Sequence, residues 1–182
     1  QDSGKENRGK HFMGIFKIEA DQFSWIDGSR DEPDDYCLHG HVTVQIGSHQ
    51  LEDYGTVSAT TLYLLKSLTE DKAMDQHTIQ MIPCCGHFFL PNQELSEVQI
   101  IGCDTGTDWA IVHVGDRIRI ILDSGDEEWV ELSDYKEEVF RFADKIEAFY
   151  QSCTPKTIPS DAFERDGYTA FWNEWYRRRA KG

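Results

Sequence analysis

No window of about twenty apolar residues occurs in this 182-residue chain, which excludes a transmembrane helix and leaves no reason to expect a membrane partner. The opening stretch QDSGKENRGK has no apolar centre of the kind a secretory signal needs, and residues 1–12 are read as a flexible or vector-derived segment outside the fold. A phosphate-cradling loop is also missing: GCDTGTD at 102–108 has two glycines but no Lys-Ser/Thr pair after them. There is no pair of Cys-x-x-Cys motifs and no His-Glu-x-x-His helix, so zinc fingers, zinc ribbons and zinc-protease helices are excluded. Internal repeats and low-complexity tracts are absent.

Positive charge is scarce in the body of the chain. The formal net charge is −15, from 33 acidic and 18 basic residues. Eight of the basic residues sit at the ends, as Lys5, Arg8, Lys10 and Lys17, then Arg177, Arg178, Arg179 and Lys181. Residues 18–176 therefore carry 10 basic against 31 acidic side chains, a net of −21. Such a surface repels phosphate backbones, so no nucleic-acid partner is expected. It steers a basic protein partner toward itself.

Bulky material is plentiful. Ten Phe, seven Tyr and five Trp within a 39% hydrophobic composition support one core-bearing α+β domain over 13–182, with a helical C-terminal part at 133–182. Five cysteines are an odd number, and a bridge between the adjacent Cys84 and Cys85 would be strained, so reduced thiols and a cytoplasmic location are expected.

The patterning predicts a largely antiparallel β-meander with one inserted helix at about 56–70 and two C-terminal helices packed on it. GIFKIEA and QFSWIDGS read as two strands, and DGSRDEPDDY as an acidic loop. In CLHGHVTVQIG, Leu38, Gly40, Val42, Val44 and Ile46 fall on one side and Cys37, His39, His41, Thr43 and Gln45 on the other. Leu62, Leu65 and Leu68 have helical spacing. TIQMI, HFFL, EVQIIG, WAIVHV, RIRIIL and EWVEL read as strands, with a type II′ hairpin at the VGDR step of 114–117.

Further on, Ser133 is the expected cap of a helix whose stripe is Val139, Phe142, Ala143, Ile146, Phe149 and Tyr150. Pro155 and Pro159 then break the chain. Asp161 and Glu164, at capping-box spacing, start a last helix that is expected to be interrupted near Gly167. Its aromatic set Tyr168, Phe171, Trp172, Trp175 and Tyr176 is read as a core-docking stripe, with the basic tail reaching back to the acidic body.

Chemistry-bearing candidates are few. His39 and His41 point the same way from a strand, roughly 7 Å apart, and grip one ion only with ligands from elsewhere. The second cluster supplies them: Cys85 and His87, beside Cys84. No cofactor is expected from the spacing, and zinc is the ion such a set would take. A Cys–His nucleophile from Cys85 and His87, or Cys37 and His39, is disfavoured because acidic surroundings raise a thiol pKa. The acids of 27–35 lack the calcium-loop spacing.

Two functions follow as expectations. The first is a non-enzymatic protein-binding module whose acids Asp27, Asp31, Glu32, Asp34 and Asp35, together with Asp126, Glu127 and Glu128, meet a basic partner. The second is a metal-dependent enzyme or metal-stabilised domain using His39, His41, Cys85 and His87. No catalytic residue is assigned. In size, charge and layout, and in no specific motif, the chain resembles bacterial immunity proteins, which neutralise toxins by binding them; the resemblance implies an inhibitor-like role.

Overall fold

The computed structural model describes residues 14–75, 79–85 and 88–181. The extension at 1–12 and His87 lie outside the described residues. Among the described residues the fold is α+β: three helices and several antiparallel sheets surround a common apolar core.

The first sheet runs in the order β1 (Phe16–Ser24), β2 (His39–Ile46), β3 (His49–Thr56). The alternation expected of β2 is present: Leu38, Val42, Val44 and Ile46 are buried, and β1 sets Phe16, Ile18 and Ala20 opposite Ile46, Val44 and Val42. The two strands expected over 14–29 are a single strand. A register shift between Asp21 and Ser24, with Gln22 at φ 51°, bends it without ending it. No strand was expected over 49–56, where β3 pairs residue for residue with β2.

After β3 the chain enters α1 (Val57–Lys66), with Leu62 and Leu65 fully buried. Two short ladders follow, β4 (Ile82–Pro83) with β7 (Gly106–Thr107) and β5 (Phe88–Pro91) with β6 (Val98–Ile101). The meander β8 (Trp109–Val114), β9 (Arg117–Leu122), β10 (Glu127–Glu131) forms a second three-stranded sheet. Its first hairpin closes from Val114 to Arg117, with Gly115 at φ 66° and Asp116 not in the positive-φ region, as a type II′ turn requires. The antiparallel strands are thus shared among several sheets.

Helix α2 (Leu132–Ser152) buries Tyr135, Val139, Phe142, Ala143 and Ile146. Its N-cap is Glu131, not Ser133, whose hydroxyl instead reaches Asp134 at 3.4 Å. Helix α3 (Ala162–Ala180) is capped as expected, the Asp161 carboxylate accepting from the amides of Phe163 and Glu164 at 2.9 and 3.1 Å. It is not interrupted at Gly167. The missing side chain there lets β5 lie against the helix, since a Cβ would stand 2.4 Å from the Phe89 carbonyl oxygen. Phe171 and Trp175 are buried, while Tyr176 remains exposed. The basic tail does fold back: Arg177 meets Glu97 at 3.0 Å, Arg178 meets Glu174 and Glu70, and Arg179 grips both oxygens of Asp144.

Candidate functional site

The acidic loop between β1 and β2 is a built structure. Trp25 and Gly28 exchange backbone hydrogen bonds, and the Asp35 carboxylate accepts from the amides of Ile26 at 2.7 Å and Cys37 at 3.1 Å. Asp31 accepts from Lys156 Nζ at 2.7 Å and from the Thr154 amide at 2.5 Å. The same ammonium donates to the Glu32 carbonyl at 2.8 Å and lies 3.6 Å from the Trp25 ring centroid. The Lys156 hydrogen bond is the largest cause holding the Asp31 carboxyl below the usual range, followed by the Thr154 amide. Asp31 and Asp35 therefore shape the loop. Asp27 and Asp34 are exposed, and Arg30 stands between Asp27 at 3.6 Å and Glu32 at 2.8 Å.

This loop forms one wall of a groove of about 330 Å³. Opposite it lie β5 and the start of α3. Ile26, Phe88 and Phe163 line the groove yet remain 65%, 59% and 47% exposed. The half-buried Tyr36 and Tyr168 also line it, their ring centroids 4.8 Å apart, and burial pushes the Tyr168 phenol up. Asp34 and Glu164 stand on the rim, beside the capping carboxylate of Asp161.

Asp126 directly precedes β10, whose first two residues are Glu127 and Glu128. His49 is 3.8 Å from Asp126 and 3.9 Å from Glu128, and Glu127 is 3.5 Å from Arg119. Asp126 also borders a second, polar cleft of about 750 Å³ with His49, Asp75, Asp104, Asp108 and Asp123. Lys72 donates to both Asp108 oxygens, at 2.6 and 2.8 Å. Burial nevertheless raises the Asp108 carboxyl pKa, against that partner.

The two Cys/His clusters do not merge through the described histidines. His39 Nδ1 meets the Cys37 carbonyl at 3.1 Å. His41 lies between Asp21 at 3.5 Å and Glu52 at 3.8 Å, on the strands either side of its own. Cys85 instead joins Cys84 and Cys103, the three sulfurs all within 4.8 Å of one another. Among the described residues this is the only group of three or more His, Cys, Asp or Glu ligand atoms so close. Cys84 and Cys103 are linked as a disulfide, where thiols were expected; Cys85 and Cys153 are outside it.

The β4–β7 ladder brings these segments together. Gly106, at φ 142°, permits the approach, because a Cβ there would stand 2.3 Å from the Ile82 carbonyl oxygen. Cys103 was missed as a partner because nothing local in GCDTG marks it, and an odd cysteine count points toward free thiols. The groove aromatics were missed because exposure is a tertiary property.

Comparison with protein-family models, with curated proteins and with solved structures returns no match.

Proposed function

We propose that this protein is a non-enzymatic binding module, inhibitor- or immunity-like, that takes a basic segment of a partner protein in the groove between the acidic loop, β5 and α3. The observation that carries this reading is the exposure of Ile26, Phe88 and Phe163 in one concave site with Asp34 and Glu164 on its rim. Large apolar side chains held open to water gain most by accepting an apolar anchor, and the rim selects what flanks it. Acids flanking an apolar floor fit a hydrophobic residue set among Lys and Arg. The net charge of −15 speeds the encounter with such a partner and disfavours nucleic acid.

Preorganisation supports the reading too. The loop is fastened by Lys156, so little conformational freedom is lost on binding. A cytoplasmic setting belongs to the proposal, and the described helices include none long and apolar enough to cross a membrane.

Fluorescence anisotropy with a labelled peptide carrying one Phe between Lys and Arg residues tests this directly. Binding that weakens with salt, falls about tenfold or more in Phe163→Ala, and slows in on-rate in Asp34→Lys is the expected result. Equal binding of the peptide with Ala in place of Phe, or no binding at low ionic strength, counts against it.

A further inference from the structure

Independently of the groove, we propose that reduced Cys84, Cys85 and Cys103 form a three-thiolate site for a soft divalent metal ion, zinc above all. Three sulfurs within 4.8 Å of one another, drawn from two chain segments, are the donor set that borderline-soft ions prefer. The groups around them suit thiolates. The Thr105 hydroxyl lies 3.0 Å from the Cys84 sulfur and 3.1 Å from that of Cys103, and the Cys103 amide points at the Cys85 sulfur at 3.4 Å. The Thr105 hydroxyl and the Cys103 amide thus supply two donors beside the three sulfurs, the hydroxyl proton being available to either Cys84 or Cys103, as outer-shell groups do around metal-bound thiolates.

The backbone separation agrees. The Cα atoms of Cys84 and Cys103 are 7.0 Å apart, just beyond the roughly 4.4–6.8 Å that disulfides usually span. A shared ion bridges that span with room to spare, because its two metal–sulfur bonds are about 2.3 Å each. Asp104, next to Cys103 in the chain, borders the cleft that also holds Asp75, Asp123 and Asp126, and this field concentrates cations at the site. Three protein ligands leave the fourth position of a tetrahedral ion to solvent or to an incoming group.

The metal-binding form is the reduced chain. A dithiol reductant supplies two electrons and two protons to the Cys84–Cys103 disulfide, giving two thiols and the oxidised reductant. Metal uptake then releases one proton for each thiol that becomes a ligand.

Cobalt(II) titration of the fully reduced protein is the test, read by the sulfur-to-cobalt charge-transfer absorption and displaced by zinc. The expected result is one cobalt per chain, with the absorption lost or strongly reduced in Cys84→Ser, Cys85→Ser and Cys103→Ser and unchanged in Cys153→Ser. Thr105→Val, which keeps all three ligands, is expected to weaken uptake by roughly 10–100-fold. Circular dichroism verifies that each variant is folded. Absence of a charge-transfer band in reduced wild-type protein overturns the proposal, as does an undiminished band in Cys103→Ser. Either failure leaves the peptide result at the groove untouched.

Discussion

At the scale of single residues, Glu174 is a buried carboxylate whose every partner is specified by the fold. It is fully buried in the middle of α3, and its carboxylate meets Lys66 Nζ at 3.0 Å, Arg178 Nε at 2.8 Å and the Val98 amide at 2.7 Å. Removing one member of a buried ionic set leaves the others unpaired in a low-dielectric site, at about 3–5 kcal/mol. Glu174→Ala is accordingly expected to lower stability by about that amount in urea denaturation, whereas exposed Glu164→Ala should change it by less than about 0.5 kcal/mol.

Acid sensitivity is also set residue by residue. Hydrogen bonding to Lys156 holds Asp31 low, the His113 amide and then its ring do so for Asp71, and Arg179 does so for Asp144. A carboxylate whose folded pKa lies below its unfolded value stabilises the fold above the unfolded value and loses that contribution as pH falls through the folded one. Asp108, raised chiefly by burial, works in the opposite sense: its contribution is present below the unfolded pKa and is lost as pH rises. Against the opposing effect of burial, Arg141 and the Ile18 amide hold Glu138 down as a fourth lowered carboxyl. With four lowered groups against one raised, the urea midpoint is expected to fall as pH drops below about 4, and Asp31→Asn should flatten that acid limb. A midpoint that rises on acidification contradicts this assignment.

At the scale of elements, what could be read in the chain depended on whether burial leaves a periodic trace. β2 was legible because one face of a half-buried strand must alternate, and Val42, Val44 and Ile46 do. β3 was not, because HQLEDYGT holds almost nothing apolar and is a strand through its backbone pairing to β2. The bulge in β1 could not be foreseen, since no glycine or proline marks it. Gly167 was read as a breaker where it serves as a contact. An added methyl there has no room against the Phe89 carbonyl, so Gly167→Ala is expected to destabilise by about 1–3 kcal/mol in thermal melts despite alanine's better helix propensity. A more stable Gly167→Ala protein would mean that the contact between α3 and β5 is loose.

The candidate sites divide along the same line. Acidic residues at 27–35 were legible as a charged loop, but which of them shape it, Asp31 and Asp35, and which face the groove, Asp34, depends on contacts 120 residues away or more in the case of Asp31 and Lys156. Cys84 and Cys85 were conspicuous, and Cys103 became their neighbour only through the β4–β7 ladder.

For the whole molecule, the surplus of acid is organised. The C-terminal arginines neutralise Glu97, Glu70 and Asp144 while tying α3 to the body, whereas Asp34 and Glu164 stay at the mouth of an apolar groove. A protein shaped only for solubility would scatter its charges and cover Phe88 and Phe163. The most direct test is amide chemical-shift mapping of the isotope-labelled protein with the Phe-centred basic peptide. Saturable shifts concentrated at Ile26, Asp34, Phe163, Glu164 and Tyr168 are expected. Shifts spread evenly over the acidic surface, or centred on His49 and Asp126, would contradict the groove as the binding site.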